Sequence, residues 1–168
     1  MTDNLYISLL ASIQWLTPQS PQPDPTKRDW LLECDSMTRR LERHCRQVSV
    51  QRAREGYVFA GEAGDDIALL PASERYWLRE VVLYGDGNPW LAGRMVIPAA
   101  VLEGPACALK TLGDMPLGRW LFRDGMPTRD YIQLGRAGNL WARRSCLRPH
   151  GKPLLLTELF LPDAPLYR

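Results

Sequence analysis

The sequence predicts an α+β protein built on a six-stranded antiparallel sheet. Segments with alternating apolar and polar residues recur along the chain. Two of these segments flank the turn Gly85-Asp86-Gly87-Asn88, which is typical of a β-hairpin. Three short segments with proline near their start interrupt the strand pattern in the middle. Since the strands come mostly as hairpins and the helices as inserts, we expect the helices to pack against one face of the sheet.

The six predicted strands follow the two-residue period and end at turn signals. They cover residues 47–58, 76–84, 90–97, 129–134, 140–147 and 154–161. A polar loop is predicted at 61–66, between the first two strands. A second turn, at 149–152, leads into the last strand.

Helices are predicted before the first strand and between the third and fourth strands. The apolar stretch 5–16 contains polar interruptions, which favour a docking helix over a signal peptide or membrane span. Prolines at 18, 21, 23 and 25 then predict an irregular connector, so 1–28 forms an N-terminal helix and Pro-rich connector within one domain, 1–168. The shorter predicted helices cover 29–33, 37–44 (with Ser36 as N-cap), 98–102, 105–112 and 116–122.

The composition is that of an ordinary globular domain of 168 residues, with 45% hydrophobic and 24% charged residues. A net charge of +2 is too small to indicate a nucleic-acid partner or stable membrane insertion. Only three of the 21 basic residues are lysine. Arginine suits bidentate recognition of carboxylates and phosphates, although genomic base composition explains most such positions more simply.

The cysteines and histidines argue against a metal site. The four cysteines form no C-x-x-C pair, and the chain has two histidines. We therefore expect free thiols in a reducing cytoplasm and no zinc site. Separately, we expect the protein to be a monomer.

Glu158 is the only charged residue in the apolar run 153–161. Alternation places it on the same strand face as Leu156 and Phe160. A carboxylate there is costly unless something pairs with it. Such a group is either a neutralised structural residue or part of a functional site, and the pattern alone favours neither.

Arg79 has the same placement in another predicted strand, where it alternates with Trp77 and Val81. One interpretation is structural: Arg79 pairs with a core carboxylate, for instance Glu158, in an ion pair that is costly to bury. The other is functional: both groups stay unpaired until a ligand with a carboxylate and a hydroxyl bridges them. These residues alone do not decide between the two.

Other polar segments are less specific. Residues 35–40 are typical of a helix start. Alternation turns one of the adjacent Arg143 and Arg144 inward, but their place near a strand end favours solvent exposure. The chain has no Walker loop, Rossmann glycine pattern, G-x-S-x-G elbow or H-E-x-x-H motif.

Several sequence motifs occur in an order typical of one enzyme family. They are Asp35-Ser36-Met37-Thr38, Arg54-Glu55-Gly56-Tyr57-Val58, Tyr76-Trp77-Leu78-Arg79-Glu80, Pro89-Trp90-Leu91-Ala92-Gly93-Arg94, Pro116-Leu117-Gly118-Arg119, and the run from Gly151 to Pro162. Together they resemble the bacterial chorismate–pyruvate lyase family. The resemblance runs from about residue 30 to 167 and leaves out the loop 60–68.

The resemblance implies an enzyme that converts chorismate to 4-hydroxybenzoate and pyruvate, the first step towards ubiquinone, without a cofactor. It implies a six-stranded antiparallel sheet with helical flaps over a buried ligand pocket, and inhibition by the retained product. Arg79 would hold the ring carboxylate and Glu158 would meet the hydroxyl end, so both are candidate catalytic residues. Met37 and Leu117 match the family's other substrate-binding positions.

Three points stay open in this interpretation. Glu158 either takes the proton from the hydroxyl-bearing carbon or only holds the hydroxyl, and an intramolecular proton transfer would need no base. A second arginine should meet the enolpyruvyl carboxylate, and the candidates Arg94, Arg129 and Arg136 are not ranked. The main rival function is a non-catalytic sensor domain, because the fold also resembles effector-binding domains of bacterial transcription regulators.

Overall fold

An antiparallel sheet forms the centre of the computed structural model, which describes residues 2–168. This confirms the α+β class. Within those residues the sheet has seven strands in the order β1-β5-β6-β7-β4-β3-β2. The strands are β1 (Gln14–Trp15), β2 (Val48–Phe59), β3 (Arg75–Gly85), β4 (Asn88–Pro98), β5 (Thr128–Ala137), β6 (Leu140–Arg148) and β7 (Leu154–Phe160).

The prediction of six strands was wrong because β1 lies inside the stretch 5–16 that predicted a helix. Helix α1 (Thr2–Leu10) ends earlier, and the Ser12 hydroxyl then donates to the Leu9 carbonyl at 2.7 Å. Trp15 pairs with Gly135 on β5. A Cβ on Gly135 would lie 2.7 Å from Trp15 Cε3, so β1 reaches the sheet edge only because that position lacks a side chain.

The helices near the site begin at clear N-terminal signals. Helix α2 (Pro25–Leu31) starts earlier than predicted, because Asp24 accepts a hydrogen bond from Lys27 N at 3.0 Å and Pro25 occupies the first turn. Ser36 caps α3 (Met37–Glu42) as predicted, accepting from Arg39 N at 3.2 Å.

The segments predicted as helices between β4 and β5 are only partly α-helical. Residues Ala99–Glu103 and Pro105–Thr111 form 3₁₀ turns, and α4 (Leu117–Leu121) is a short α-helix. The polar loop between β2 and β3 contains two further 3₁₀ turns, Ala60–Glu62 and Asp65–Leu69.

The hairpin between β3 and β4 sets the register of the site. Asp86 and Gly87 at its tip have φ angles of 48° and 83°. Positive φ at both central residues is typical of a type I′ turn, whose twist matches that of the flanking strands. The Asp86 carboxylate accepts from the backbone N–H groups of Arg46 and Gln47 at 3.0 and 2.9 Å. These two donors hold the pKa of the Asp86 carboxyl below its usual range. The contacts tie the start of β2 to the hairpin.

Helical segments cover both faces of the sheet, so the expectation of one covered face was incomplete. Helices α2, α3 and α4 and the two 3₁₀ turns after β4 pack on one face, over residues such as Val81, Leu91 and Phe160. Helix α1 and the segment 60–70 pack on the other, over Val82 and Leu155. Successive residues of each strand thus face different layers.

Tyr167 closes the chain end against the sheet, and its hydroxyl makes two backbone contacts. It accepts from Trp141 N at 2.7 Å and donates to the Phe160 carbonyl at 2.8 Å. Burial raises the pKa of Tyr167 to about 12, above its ordinary value of 10.0.

Replacing Tyr167 with Phe should lower the free energy of unfolding by about 1–3 kcal/mol, because two buried backbone groups lose their partner. The folded state favours the neutral phenol. The stability that the Tyr167 hydroxyl gives to the wild type is therefore complete below pH 10 and is lost as pH rises towards 12. Urea unfolding at pH 7, 10 and 11.5 measures the difference between the two proteins. A difference that stays constant up to pH 11.5 would show that the phenol does not contribute in this way.

Candidate active site

A cavity of about 60 Å³ lies between the sheet and helices α3 and α4. The four residues singled out from the sequence all line it: Met37, Arg79, Leu117 and Glu158. They come from α3, β3, α4 and β7, four elements far apart in the chain. The fold therefore brings these candidates together in one place.

Arg79 points from β3 into this cavity and is 2% exposed. Its Nη1 donates to Glu55 Oε2 at 3.2 Å and to the Gly113 carbonyl at 2.9 Å, while Nη2 donates to the Met115 carbonyl at 2.9 Å. Arg79 is thus paired with Glu55 of β2, neither with Glu158 nor left unpaired. The interpretation that Arg79 pairs with a carboxylate is thus confirmed, but its suggested partner Glu158 was wrong, and so was the alternative that Arg79 stays unpaired.

These contacts leave one edge of the Arg79 guanidinium open. An arginine has five N–H donors, and the three hydrogen bonds described above use both protons of Nη1 and one of Nη2. Within residues 2–168, Nε–H and the second Nη2 proton have no described acceptor. One Nε donor and one Nη2 donor therefore remain, which is the number that a carboxylate takes when it binds a guanidinium through two parallel bonds.

Glu158 points into the same cavity from β7 and is 5% exposed. Its Oε1 accepts from Arg143 Nε on β6 at 2.8 Å. Arg143 Nη1 also donates to the carbonyls of Leu31 and Glu33 at 3.2 and 2.7 Å. Arg143 therefore fixes both Glu158 and the connection between α2 and α3.

The sequence interpretation missed Arg143. Placing Arg143 and Arg144 in solvent was wrong, since they are 2% and 8% exposed. Arg144 points to the opposite face, where it donates to Asp66 Oδ1 at 3.0 Å. Alternation with Trp141 and Ser145 was the signal that could have placed Arg143 on the cavity face.

Of the three arginines proposed for a second carboxylate, Arg129 lines the cavity. Its Nη1 donates to Ser145 Oγ at 2.6 Å. Burial lowers the pKa of Arg129, and the nearby positive charge of Arg143 acts in the same direction. Arg94 contacts the Ala63 carbonyl on the other face, and Arg136 lies 4.7 Å from the Trp141 ring centroid.

Helix α4 closes the cavity by packing tightly on α3. A Cβ on Gly118 would lie 2.5 Å from Thr38 Oγ1, so the two helices approach this closely only with glycine there. Arg39 Nη2 donates to the Phe122 carbonyl at 3.4 Å and links the far end of α4 to α3. Met37 and Leu117 begin the two helices and provide apolar walls.

Gly93 of β4 forms part of the cavity beside Glu158, and the sequence interpretation did not identify it. It lies opposite Glu158 on one side and Val81 on the other. A Cβ there would lie 3.6 Å from Val81 Cγ2, an ordinary contact. The fold would accept alanine at this position, so the missing side chain serves to leave space in the cavity.

Two further observations concern the part of the chain that the structure describes. No cluster of three or more His, Cys, Asp or Glu side chains is arranged to hold a metal ion among these residues. None of their helices is both long and apolar enough to cross a membrane.

A mostly apolar cavity on an antiparallel sheet, lined by a buried arginine and a buried glutamate, is typical of proteins that bind small organic molecules. The sequence profile of the family described as chorismate lyase matches residues 9–168. The chain therefore belongs to the chorismate lyase family.

Curated relatives agree over almost the full length. The protein named chorismate pyruvate-lyase from Sodalis glossinidius is 54% identical over 168 residues, covering 99% of this chain and 95% of the relative. The one from Yersinia enterocolitica is 56% identical over 160 residues, covering 95% of both chains. A possible transcriptional regulator from Bacillus subtilis shares the fold, with a TM-score of 0.51, 8% identity and coverage of 95% of this chain and 77% of the other.

Proposed function

We propose that this protein is a chorismate pyruvate-lyase, which converts chorismate to 4-hydroxybenzoate and pyruvate. The observation that carries the proposal is that Arg79, with two N–H donors left, and the Glu158 carboxylate line the same cavity. Strands β3 and β7 flank β4, so their backbones lie roughly 10 Å apart at the usual strand spacing. An aromatic ring with an acid at one end and a hydroxyl at the other can bridge the two side chains. The names of the relatives support the same activity.

The binding roles follow from the contacts. The Nε and Nη2 donors of Arg79 take the ring carboxylate, while Glu55 and the 113–115 carbonyls keep the guanidinium in place. Met37 and Leu117 contact the ring from the α3 and α4 side. Glu158 meets the hydroxyl end, with Arg143 holding its Oε1 and leaving Oε2 for the ligand.

The reaction breaks the bond between the ring and the ether oxygen of the enolpyruvyl group. The electron pair leaves with that oxygen, a proton leaves the hydroxyl-bearing carbon, and the ring becomes aromatic. The enolpyruvate takes up a proton and becomes pyruvate. Since aromatisation supplies the driving force, the protein mainly positions the substrate and stabilises charge. Glu158 Oε2 either accepts the ring proton or holds the hydroxyl while the proton moves within the substrate.

The test is to incubate the purified protein with chorismate in the presence of EDTA. Equal amounts of 4-hydroxybenzoate, measured by chromatography, and pyruvate, measured with lactate dehydrogenase, are expected. Tight binding of 4-hydroxybenzoate without turnover would favour a sensor domain instead. No turnover and no binding would reject both functions.

We infer that α4 and the segment 112–116 act as the flap of this site, because they close the cavity and contact Arg79. The ligand enters and leaves only when they move, so the aromatic product is retained. In the same assay, added 4-hydroxybenzoate should slow the initial rate more than added pyruvate. We further expect the enzyme to act in the cytoplasm as a monomer, which sedimentation analysis and cell fractionation would check.

Replacing Gly93 with alanine should weaken 4-hydroxybenzoate binding about tenfold or more, because the new methyl group occupies space next to the ligand. The melting temperature should stay close to that of the wild type, since the Cβ meets Val81 at an ordinary distance. Calorimetric titration and thermal unfolding measure the two effects. Gly104→Ala is the matched control, because a Cβ there meets nothing within 4 Å. Equal affinity in both variants would contradict the role of Gly93.

A further inference from the structure

The charged groups around the cavity do not balance. Arg79 is paired with Glu55 at 3.2 Å, and Arg143 is paired with Glu158 at 2.8 Å. Arg129 also lines the cavity, but among the side chains described for residues 4–168 no carboxylate forms an ion pair with it. The site thus carries one positive charge without a protein counter-ion.

The surroundings of Arg129 make this excess charge costly. Its one described hydrogen bond goes to Ser145, a fully buried neutral hydroxyl. Four of its five N–H donors therefore remain available in a half-buried place. Arg143, another cation, occupies the neighbouring strand β6. An arginine in such a position gains most from an anion that arrives with the ligand.

The place of Arg129 in the sheet indicates which part of the ligand it meets. Strands β5, β6 and β7 lie on one side of β4 and β3 on the other, so Arg129 lines the cavity from the side opposite Arg79, opposite Leu147 in the register of β5 and β6. In chorismate, the enolpyruvyl ether is attached to the carbon next to the hydroxyl-bearing carbon. With the ring acid on Arg79 and the hydroxyl at Glu158, Arg129 is the cavity-lining arginine that remains for the enolpyruvyl carboxylate.

We propose that Arg129 binds the enolpyruvyl carboxylate and so distinguishes the substrate, which has two carboxylates, from the aromatic product, which has one. This inference rests on the proposed function and assigns a residue to the half of the substrate that leaves. Arg79 serves both substrate and product, whereas Arg129 serves the substrate alone. Release of pyruvate leaves Arg129 without its anion while the product stays on Arg79.

The test compares Arg129→Met with Arg136→Met, a control in the same strand whose side chain stacks on Trp141 outside the cavity. Arg129→Met should lower kcat/KM for chorismate about 10–100-fold, as expected for losing a charged hydrogen-bonded contact. Its Kd for 4-hydroxybenzoate should stay within about threefold of the wild type, since that ligand lacks the second acid. Arg136→Met should change neither value.

A binding measurement that needs no turnover uses 3-(carboxymethoxy)-4-hydroxybenzoate, an unreactive aromatic ligand that carries both acids. Arg129→Met should lose affinity for it and keep affinity for 4-hydroxybenzoate. If the two ligands weaken equally, or if Arg129→Met matches Arg136→Met, the assignment is wrong. Arg129→Gln gives the same comparison should the methionine variant not fold. Failure of the wild type to convert chorismate would reject the proposed function, whereas the two-ligand comparison still decides the role of Arg129.

Discussion

Replacing Arg79 with methionine should weaken 4-hydroxybenzoate binding by at least about 100-fold, which corresponds to roughly 3–5 kcal/mol for breaking a buried charged contact. Two causes act together. The ligand carboxylate loses the open Nε and Nη2 fork, and Glu55 loses the ion pair that it makes at 3.2 Å. The carbonyls of Gly113 and Met115 also lose their donors, so the flap segment loses its link to β3. Calorimetric titration with the product measures the change.

Two further variants separate ligand binding from structural damage. Arg52→Met removes an arginine that also contacts Glu55, at 3.4 Å, and pairs with Asp114 of the flap segment at 3.1 Å, but both pairs lie outside the cavity and the pair with Asp114 is exposed and weak. It should bind the product normally. The double variant Arg79→Met with Glu55→Gln also removes the Glu55 carboxylate, which has lost its partner. Its melting temperature should be higher than that of Arg79→Met, while its affinity for the product should stay as low. If Arg79→Met binds as tightly as Arg52→Met, Arg79 does not anchor the acid.

The inward placement of the central site residues could be predicted because strands alternate strictly. A strand turns every second side chain to the same face, so Glu158 and Arg79 stand out as charges among apolar neighbours. No knowledge of the rest of the sheet is needed for that step. The family resemblance then added Met37 and Leu117, which carry no local signal because apolar residues at helix starts are common.

The partners of those charges could not be predicted because they depend on strand order. Strand β7 enters between β4 and β6, which sets Glu158 beside Arg143 and Gly93. Nothing in the local pattern of any one strand specifies that insertion. Gly93 was missed for a related reason, since its contribution is an absent side chain that only matters beside its neighbours. Strand β1, with two residues, is too short to show a period.

The error at Arg143 and Arg144 has a different physical cause. Their position near a strand end suggested that both side chains face solvent. Instead, other parts of the chain cover each side chain, one on each face of the sheet. The carbonyls of Leu31 and Glu33 accept hydrogen bonds from Arg143 on one face, and the Asp66 carboxylate accepts one from Arg144 on the other. The free-energy cost of burying an arginine falls where backbone carbonyls and carboxylates accept its hydrogen bonds. Such acceptors come from distant segments that strand periodicity does not locate.

Replacing Glu158 with glutamine should separate proton transfer from hydroxyl binding. Glutamine keeps an oxygen that can accept from Arg143 Nε, now at 2.8 Å from Glu158 Oε1, but it cannot take a proton from carbon. If Glu158 is the base, the chemical step slows about 100-fold or more while product affinity changes much less. If Glu158 only holds the hydroxyl, the rate of the chemical step stays near that of the wild type and the affinity for the product falls.

The measurement should be a single-turnover experiment, because release of a retained product can limit steady-state kcat and hide a slower chemical step. Chorismate deuterated at the hydroxyl-bearing carbon adds a second readout: a primary isotope effect shows that this proton moves in the slow step. The loss of charge at 158 also leaves Arg143 without its counter-ion, so the double variant Glu158→Gln with Arg143→Met is the control for that change. A chemical step that is slow in Glu158→Gln and equally slow in the double variant assigns the effect to the missing base. A step restored by removing Arg143 would assign it to the unbalanced charge instead.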